Sequence, residues 1–182
     1  MARKFQFVRR RPGEKYHPDC VAQTVKHPTK VMIWSVISSK GTGHLYMVKG
    51  MMKQDQYRQV LKNRLLPQVR DWFPNGESYV FMQDSAPCHT AHFIKAFLHE
   101  NNVPILSWPG NSPDMNPIEN VWELVKREMA KDMITTKHKL IEKLIQVWNH
   151  NPKLQETVQE CINSMPRRIK ALIAVKGGMT KY

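Results

Sequence analysis

Two stretches decide how this chain is read: residues 80–91, VFMQDSAPCHTA, and residues 107–129, SWPGNSPDMNPIENVWELVKREM. The first opens in an apolar run, residues 79–82, whose length predicts a short strand ending at Gln83-Asp84. Thr90 is then expected to cap a helix carrying Phe93, Ile94, Phe97 and Leu98 on one face. The second follows another short strand over residues 103–108 and passes a loop, 109–117, with three prolines. Asn116 reads as an N-cap, Pro117 as the first helical residue, and Glu119 lies three after the cap. Ile118, Val121, Trp122, Val125 and Met129 then make one apolar helix face.

Working outward, residues 5–11 (FQFVRRR) alternate loosely and could form a strand, with Pro12-Gly13 as a turn. Residues 30–38 (KVMIWSVIS) are a dense, β-branched apolar run and predict a buried strand; residues 43–50 pair with it as a hairpin. Residues 54–73 show helical spacing through Tyr57, Val60, Leu61, Leu65, Val69 and Trp72, with Pro67 expected to kink or break the helix. Helices are expected over roughly 136–150, 152–164 and 166–175 from apolar spacing, the last stopped by Gly177-Gly178. Strands come first, then strand and helix alternate, then helices alone. That order predicts a mixed α/β layer with a helical end, in a single domain over residues 1–182.

Composition agrees with one packed domain. The chain has 182 residues, 41% hydrophobic, which suits a real core and argues against disorder. Lys and Arg number 28 against 15 Asp and Glu, a formal +13 spread along the chain. A basic globular surface attracts polyanions, of which nucleic acid is the usual one. Cys20, Cys88 and Cys161 are odd in number and far apart, so neither a zinc ribbon nor a disulfide framework is expected, and reduced thiols are. No apolar run approaches membrane-spanning length and residues 1–11 are basic, so neither a membrane span nor a signal peptide is expected.

The residues that could carry chemistry are Asp84, at a strand end, and Glu119, at a helix start. Carboxylates so placed can converge on one cation, as hard divalent ions require. Two such ions about 4 Å apart would suit phosphoryl transfer. The bland readings stand beside this one. Asp84, before Ser85-Ala86-Pro87, could be a turn residue, and Glu119 could be the partner of Asn116 in a capping box.

The two strings resemble the Tc branch of the Tc/mariner transposases. There the second catalytic Asp sits in a QQDNxPxHTA-like string and the catalytic Glu in SPDLNPIENLW. The matching residues here are Asp84 and Glu119, with 34 residues, 85 to 118, between them, which is that family's spacing. RRPGEKYHPDC, TVKHPTKVMIW and the C-terminal SMPRRIKALIAVKGGMTKY extend the likeness from Arg9 to Tyr182. The resemblance implies a ribonuclease-H-like mixed sheet flanked by helices. It implies a DDE endonuclease and strand-transfer domain acting on DNA in cut-and-paste transposition and integration, with a two-metal Mg or Mn site held by Asp84 and Glu119. It also implies transposon ends and target DNA as partners, a homodimer as an option, and nuclear action.

Two departures from the family pattern follow. The first catalytic Asp lies on a strand just before the matching region, in a string like WSDES, and residues 1–11 hold no acid. Asp19 belongs to YHPDC, which is not the catalytic position. The helix-turn-helix modules that precede the domain in the family have no counterpart either. The expectation is therefore a domain missing its first strand, with weak metal binding and little or no strand transfer by this chain alone. The alternative is a non-catalytic DNA-binding or dimerisation remnant. A cellular ribonuclease-H-type nuclease fits less well, since SPDMNPIENVW has no reason to appear there.

Secondary candidates are weighed more cheaply. His89 could touch DNA or orient a carboxylate. Arg9, Arg10, Arg11, Arg167 and Arg168 are candidate phosphate contacts, suited to salt-sensitive binding of weak sequence preference. Asp114 reads as loop-shaping and Glu123 as part of a solvated face. Trp108, Trp122 and Trp148 read as core and not as base-stacking platforms.

Overall fold

The computed structural model describes residues 11–14, 17, 29–107, 112, 115–178 and 180. The expected strand over 5–11 lies outside these apart from Arg11, which is not in a strand. Arg9, Arg10, Asp19, Cys20, Trp108 and Asp114 also lie outside them.

The apolar run at 30–38 does form a hairpin. β1 (Met32–Trp34) pairs antiparallel with β4 (Tyr46–Val48), and β2 (Ile37–Ser38) with β3 (Gly41–Thr42). Trp34 faces Tyr46 and Ile37 faces Thr42, so residues 35–36 on one side oppose 43–45 on the other. This extra residue is a β-bulge, which bends the ladder and raises its twist. Gly43 sits in it because a Cβ there would lie 2.8 Å from Val36 Cγ1 and 3.0 Å from the Val36 carbonyl oxygen.

Period-two alternation sorts the hairpin between two helical layers. Val31, Ile33, Ile37, Leu45 and Met47 pack on a core built by α5 (Pro117–Met129), α6 (Lys137–His150) and α7 (Pro152–Ala174). Trp34 and Val36 pack on the other core, whose buried members include Tyr57, Leu61, Leu65, Phe81, Ile94 and Leu98. Both faces being covered explains why the run is apolar throughout. Its residues are mostly half-buried and not fully buried, with Met32 exposed at the hairpin's open end.

A second pairing is parallel. The Phe81 N–H donates to the Pro104 carbonyl at 2.7 Å, and the Leu106 N–H to the Phe81 carbonyl at 2.9 Å. The short turn α3 (Pro87–Thr90) and α4 (His92–Glu100) connect the two segments. The strands expected over 79–82 and 103–108 are thus reduced to one isolated parallel bridge, Phe81 to Ile105, and Asp84 lies three residues past it, the side where reactive groups gather in open α/β sheets.

Three expectations are corrected. Pro67 does not break its helix. α1 (Gln54–Val60), a π-helical turn (Leu61–Leu65) and α2 (Leu66–Trp72) run on with helical dihedrals at every junction. The widened turn lies just before the residue that lacks an N–H, where a regular α-helix would suffer most. Pro166 does not divide the C-terminal helix either. It sits exposed within α7, while Cys161, Ser164 and Arg168 around it are buried. Thr90 caps nothing. Ala91 holds the N-cap position of α4, and the Thr90 hydroxyl turns back to the Ala86 carbonyl at 3.3 Å. The end of α7 follows expectation: Gly177 takes φ +83° and its N–H closes on the Leu172 carbonyl at 3.0 Å, a glycine-terminated stop.

Candidate active site

Asp84, Asn116 and Glu119 line one cleft of about 430 Å³, together with His89, Tyr57, Gln83 and Trp122. Its walls include residues 33–38 of the hairpin and residues 79–84 of the parallel segment. Among the described residues these two stretches pair with other strands and not with each other.

The local sequence explains how Asp84 is presented. The Ala86 N–H donates to Asp84 Oδ1 at 3.0 Å, the side-chain turn that Asp favours. Pro87 then takes the first position of α3, where its missing N–H costs nothing. One helical turn brings His89 back, and its Nδ1 lies 2.6 Å from the same Oδ1. An ionised carboxylate can only accept, so Nδ1 carries the proton in this contact. Asp84 thus serves as a turn residue through Oδ1, and Oδ2 remains for another partner. Its side chain is 58% exposed, against 17% for His89.

A buried tyrosine backs this arrangement. Tyr57 packs against the His89 ring in a tilted contact, with centroids 4.1 Å apart and planes at 33°. The Tyr57 hydroxyl donates to Gln83 Oε1 at 2.6 Å, and Gln83 Nε2 donates to the His89 carbonyl at 3.2 Å. Burial pushes the Tyr57 phenol well above the usual tyrosine range, with Cys88 and Asp84 adding to the rise. Burial likewise pushes the Cys88 thiol up. Sequence reasoning read Tyr57 only as a core position and gave Gln83 no part. The contacts joining Tyr57 to Gln83 span 26 residues, and no local pattern signals them.

Glu119 arrives as expected, in the first turn of α5, with Asn116 as N-cap and Pro117 at the first position. The capping-box reading does not hold, for Asn116 makes no side-chain cap bond. Glu119 is exposed at the cleft, and Glu123 is exposed as expected. Trp122 stacks on Trp148 at 4.8 Å; Trp148 is buried in the core and Trp122 half-buried.

The arginines part company. Arg11 and Arg167 are exposed. Arg168 is only 3% exposed. It donates from Nη2 to Asn120 Oδ1 at 2.7 Å and from Nε to Ser164 Oγ at 2.8 Å. Its place as a phosphate contact is therefore corrected to that of a tie between α5 and α7.

Whether a divalent ion suits this cleft is a question of donors. Asp84 and Glu119 offer hard carboxylate oxygens, the kind Mg²⁺ and Mn²⁺ take. They fit in kind but number two, and no cluster of three or more His, Cys, Asp or Glu able to hold a metal occurs among the described residues. No helix among them is long and apolar enough to cross a membrane.

Asp84, just past the Phe81–Ile105 bridge, and Glu119, at the start of α5, thus line one cleft. The chain belongs to the DDE superfamily endonucleases, the family it matches over residues 4–141, and within it to the Tc/mariner transposase catalytic domains. It is 36% identical over 178 residues to the Tcb1 transposable-element transposase of Caenorhabditis briggsae, covering 97% of this chain and 64% of that protein. It is 32% identical over 177 residues to the Tc1 transposase of Caenorhabditis elegans, covering 97% and 63%. The chain thus spans just under two-thirds of the curated relatives it matches. In fold it is similar to the catalytic domain of Mos1 mariner transposase, with a TM-score of 0.76, 19% identity, and coverage of 87% of this chain and 80% of that one. Other structures of Mos1 transposase hold Mn or Mg, or are paired-end and strand-transfer complexes. The ribonuclease-H-like expectation is borne out.

Proposed function

We propose that the chain supplies the second Asp and the Glu, Asp84 and Glu119, of a DDE site that cleaves DNA phosphodiesters and joins transposon ends to target DNA. The observation that carries this is the meeting of the two carboxylates, 34 residues apart in sequence, on one cleft. Divalent cations bound there would activate the attacking oxygen and stabilise the leaving one. Asp84 Oδ2 and the Glu119 carboxylate would hold them, and water or a DNA 3′-hydroxyl would attack without a covalent protein intermediate. The basic surface, with exposed Arg11 and Arg167, would take the phosphate backbone. A homodimer and action in the nucleus belong to the same proposal.

The family's third carboxylate has no counterpart in residues 1–11. Among the described residues the segments 33–38 and 79–84 line one cleft without pairing with each other, and the gap between them is suited to a strand bearing it. By themselves the 182 residues are proposed to bind metal weakly, retain DNA and leave it uncut. The scarcity of carboxylates in the cleft equally favours a second reading, a DNA-binding remnant. Plasmid nicking in Mg²⁺ or Mn²⁺ and a DNA retention assay test both. DNA retention without nicking, with Mn²⁺ binding lost in Asp84→Ala and Glu119→Ala, supports the first reading. DNA retention with Mn²⁺ binding untouched by either change leaves only the second. Nicking by the well-folded chain would refute the proposed inactivity.

A further inference from the structure

We propose that Tyr57, acting through Gln83 and the His89 ring, is a positioning residue that fixes which oxygen of Asp84 is offered to a cation in the cleft. The inference deepens the functional reading above and rests on it.

The His89 ring is held from several directions. It packs against the Tyr57 ring at 4.1 Å between centroids. Its main-chain carbonyl accepts from Gln83 Nε2 at 3.2 Å. Its Nδ1 meets Asp84 Oδ1 at 2.6 Å. Gln83 is in turn oriented by the Tyr57 hydroxyl, which donates to Oε1 at 2.6 Å. That bond assigns the Gln83 amide, oxygen toward Tyr57 and nitrogen toward His89. Tyr57 is only 1% exposed and packs with Leu61, Leu65 and Ile94, so it has the immobility of the core.

Asp84 has little else to hold it, since its side chain is more than half exposed. Two donors, the Ala86 N–H at 3.0 Å and His89 Nδ1, both fall on Oδ1. Oδ2 is left as the coordinating oxygen, and the carboxylate becomes a one-oxygen ligand of fixed direction. Pre-ordering the ligand spares the entropy of fixing it when the ion binds. The ring contact needs only the aromatic ring, whereas the link to Gln83 needs the hydroxyl, so a phenylalanine separates the two.

The test is Mn²⁺ titration of the 182-residue chain. It is read by the electron paramagnetic resonance of the free ion and by selective broadening of the Ser85 and Ala86 amide signals. Melting curves of each variant run alongside. D84N is expected to abolish the broadening. Y57F should weaken Mn²⁺ binding about three- to tenfold, the worth of one hydrogen bond, with little change in melting temperature. H89A should weaken it at least as much, and the double variant no more than H89A, because both act along one path. If Y57F fails to fold, Q83M breaks the same link at a half-buried position. Unchanged Mn²⁺ affinity in Y57F (or Q83M) and H89A, with D84N still abolishing binding, overturns the positioning role alone. A D84N protein that binds Mn²⁺ like the parent, or a parent that binds none, overturns the metal reading and this inference with it.

Discussion

Replacing Trp148 by phenylalanine should loosen the joint between the hairpin and the helical layer that carries Glu119. Trp148 is 1% exposed, and its Nε1 donates to the Gly43 carbonyl at 2.8 Å, inside the β-bulge. That carbonyl also accepts from Ser35 Oγ at 3.2 Å, a single proton shared with the His44 carbonyl at 3.2 Å. The phenylalanine therefore removes one of two donors and does not orphan the oxygen, which puts the hydrogen-bond loss near the low end, about 1 kcal/mol. The smaller ring gives up buried apolar volume worth roughly 2 kcal/mol, counting a few methylene equivalents. The sum of about 3 kcal/mol lowers the melting temperature by roughly 6–12 °C in a domain of this size. Urea unfolding of the parent, W148F, S35A and the double variant measures it. After W148F, S35A should cost about 1 kcal/mol more than it does alone, since the Gly43 carbonyl then loses its last described donor. A W148F protein within 1 kcal/mol of the parent (about a factor of five in the folding equilibrium), or strict additivity in the cycle, would refute the reasoning.

Two further outcomes follow from the buried groups. The Tyr57 pKa is raised in the folded chain. Its contribution is therefore fully present below pH of about 10, the ordinary tyrosine value. It is lost as pH rises further, because the unfolded chain then ionises while the folded one stays protonated. The parent's loss of stability above that pH should exceed that of Y57F by up to about 1.4 kcal/mol per pH unit, measured by urea unfolding between pH 9 and 11; equal slopes would show the phenol is not protected. Arg167 is exposed and Arg168 buried. R167A should lower the salt slope of DNA binding by about one while leaving the fold intact. R168A should instead destabilise the chain by about 2 kcal/mol through its lost bonds to Asn120 and Ser164 and leave the salt slope as it was. A reversed pattern in filter-binding and melting assays would overturn that division.

Much of this was legible because local rules carried it. The hairpin, the Asn116-Pro117 helix start and the Gly177 stop are short-range patterns of polarity, capping and turn chemistry, while the strand expected before Asp84 is reduced to a single bridge at Phe81. The candidate carboxylates were legible for the same reason, each standing at an element boundary. What escaped notice was settled by tertiary packing. Pro67 and Pro166 look like breaks locally, but a π-helical turn absorbs one and anchored neighbours hold helix around the other. Arg168 reads as a phosphate contact beside Arg167 in the sequence, yet the fold turns it inward against Asn120. Tyr57 and Gln83 joined the site through a contact that sequence spacing does not encode.

The π-helical turn at Leu61–Leu65 also sets a phase. Each residue in an α-helix advances about 100° around the axis, and the wider turn takes up about one residue more, so winding it as a regular α-helix would twist α2 against α1 by about that angle. Upstream, Tyr57 must face His89; downstream, Gln68 must face the hairpin, where its Oε1 accepts from the His44 N–H at 2.9 Å. A regular α-helix of the same length could satisfy one of these partners and not both. The rod thus works as a coupling of fixed angle between the hairpin and the Asp84 turn. Single-residue insertions within it should be tolerated far less than substitutions on its exposed face, whereas one deletion that returns the turn to α-geometry should keep the phase.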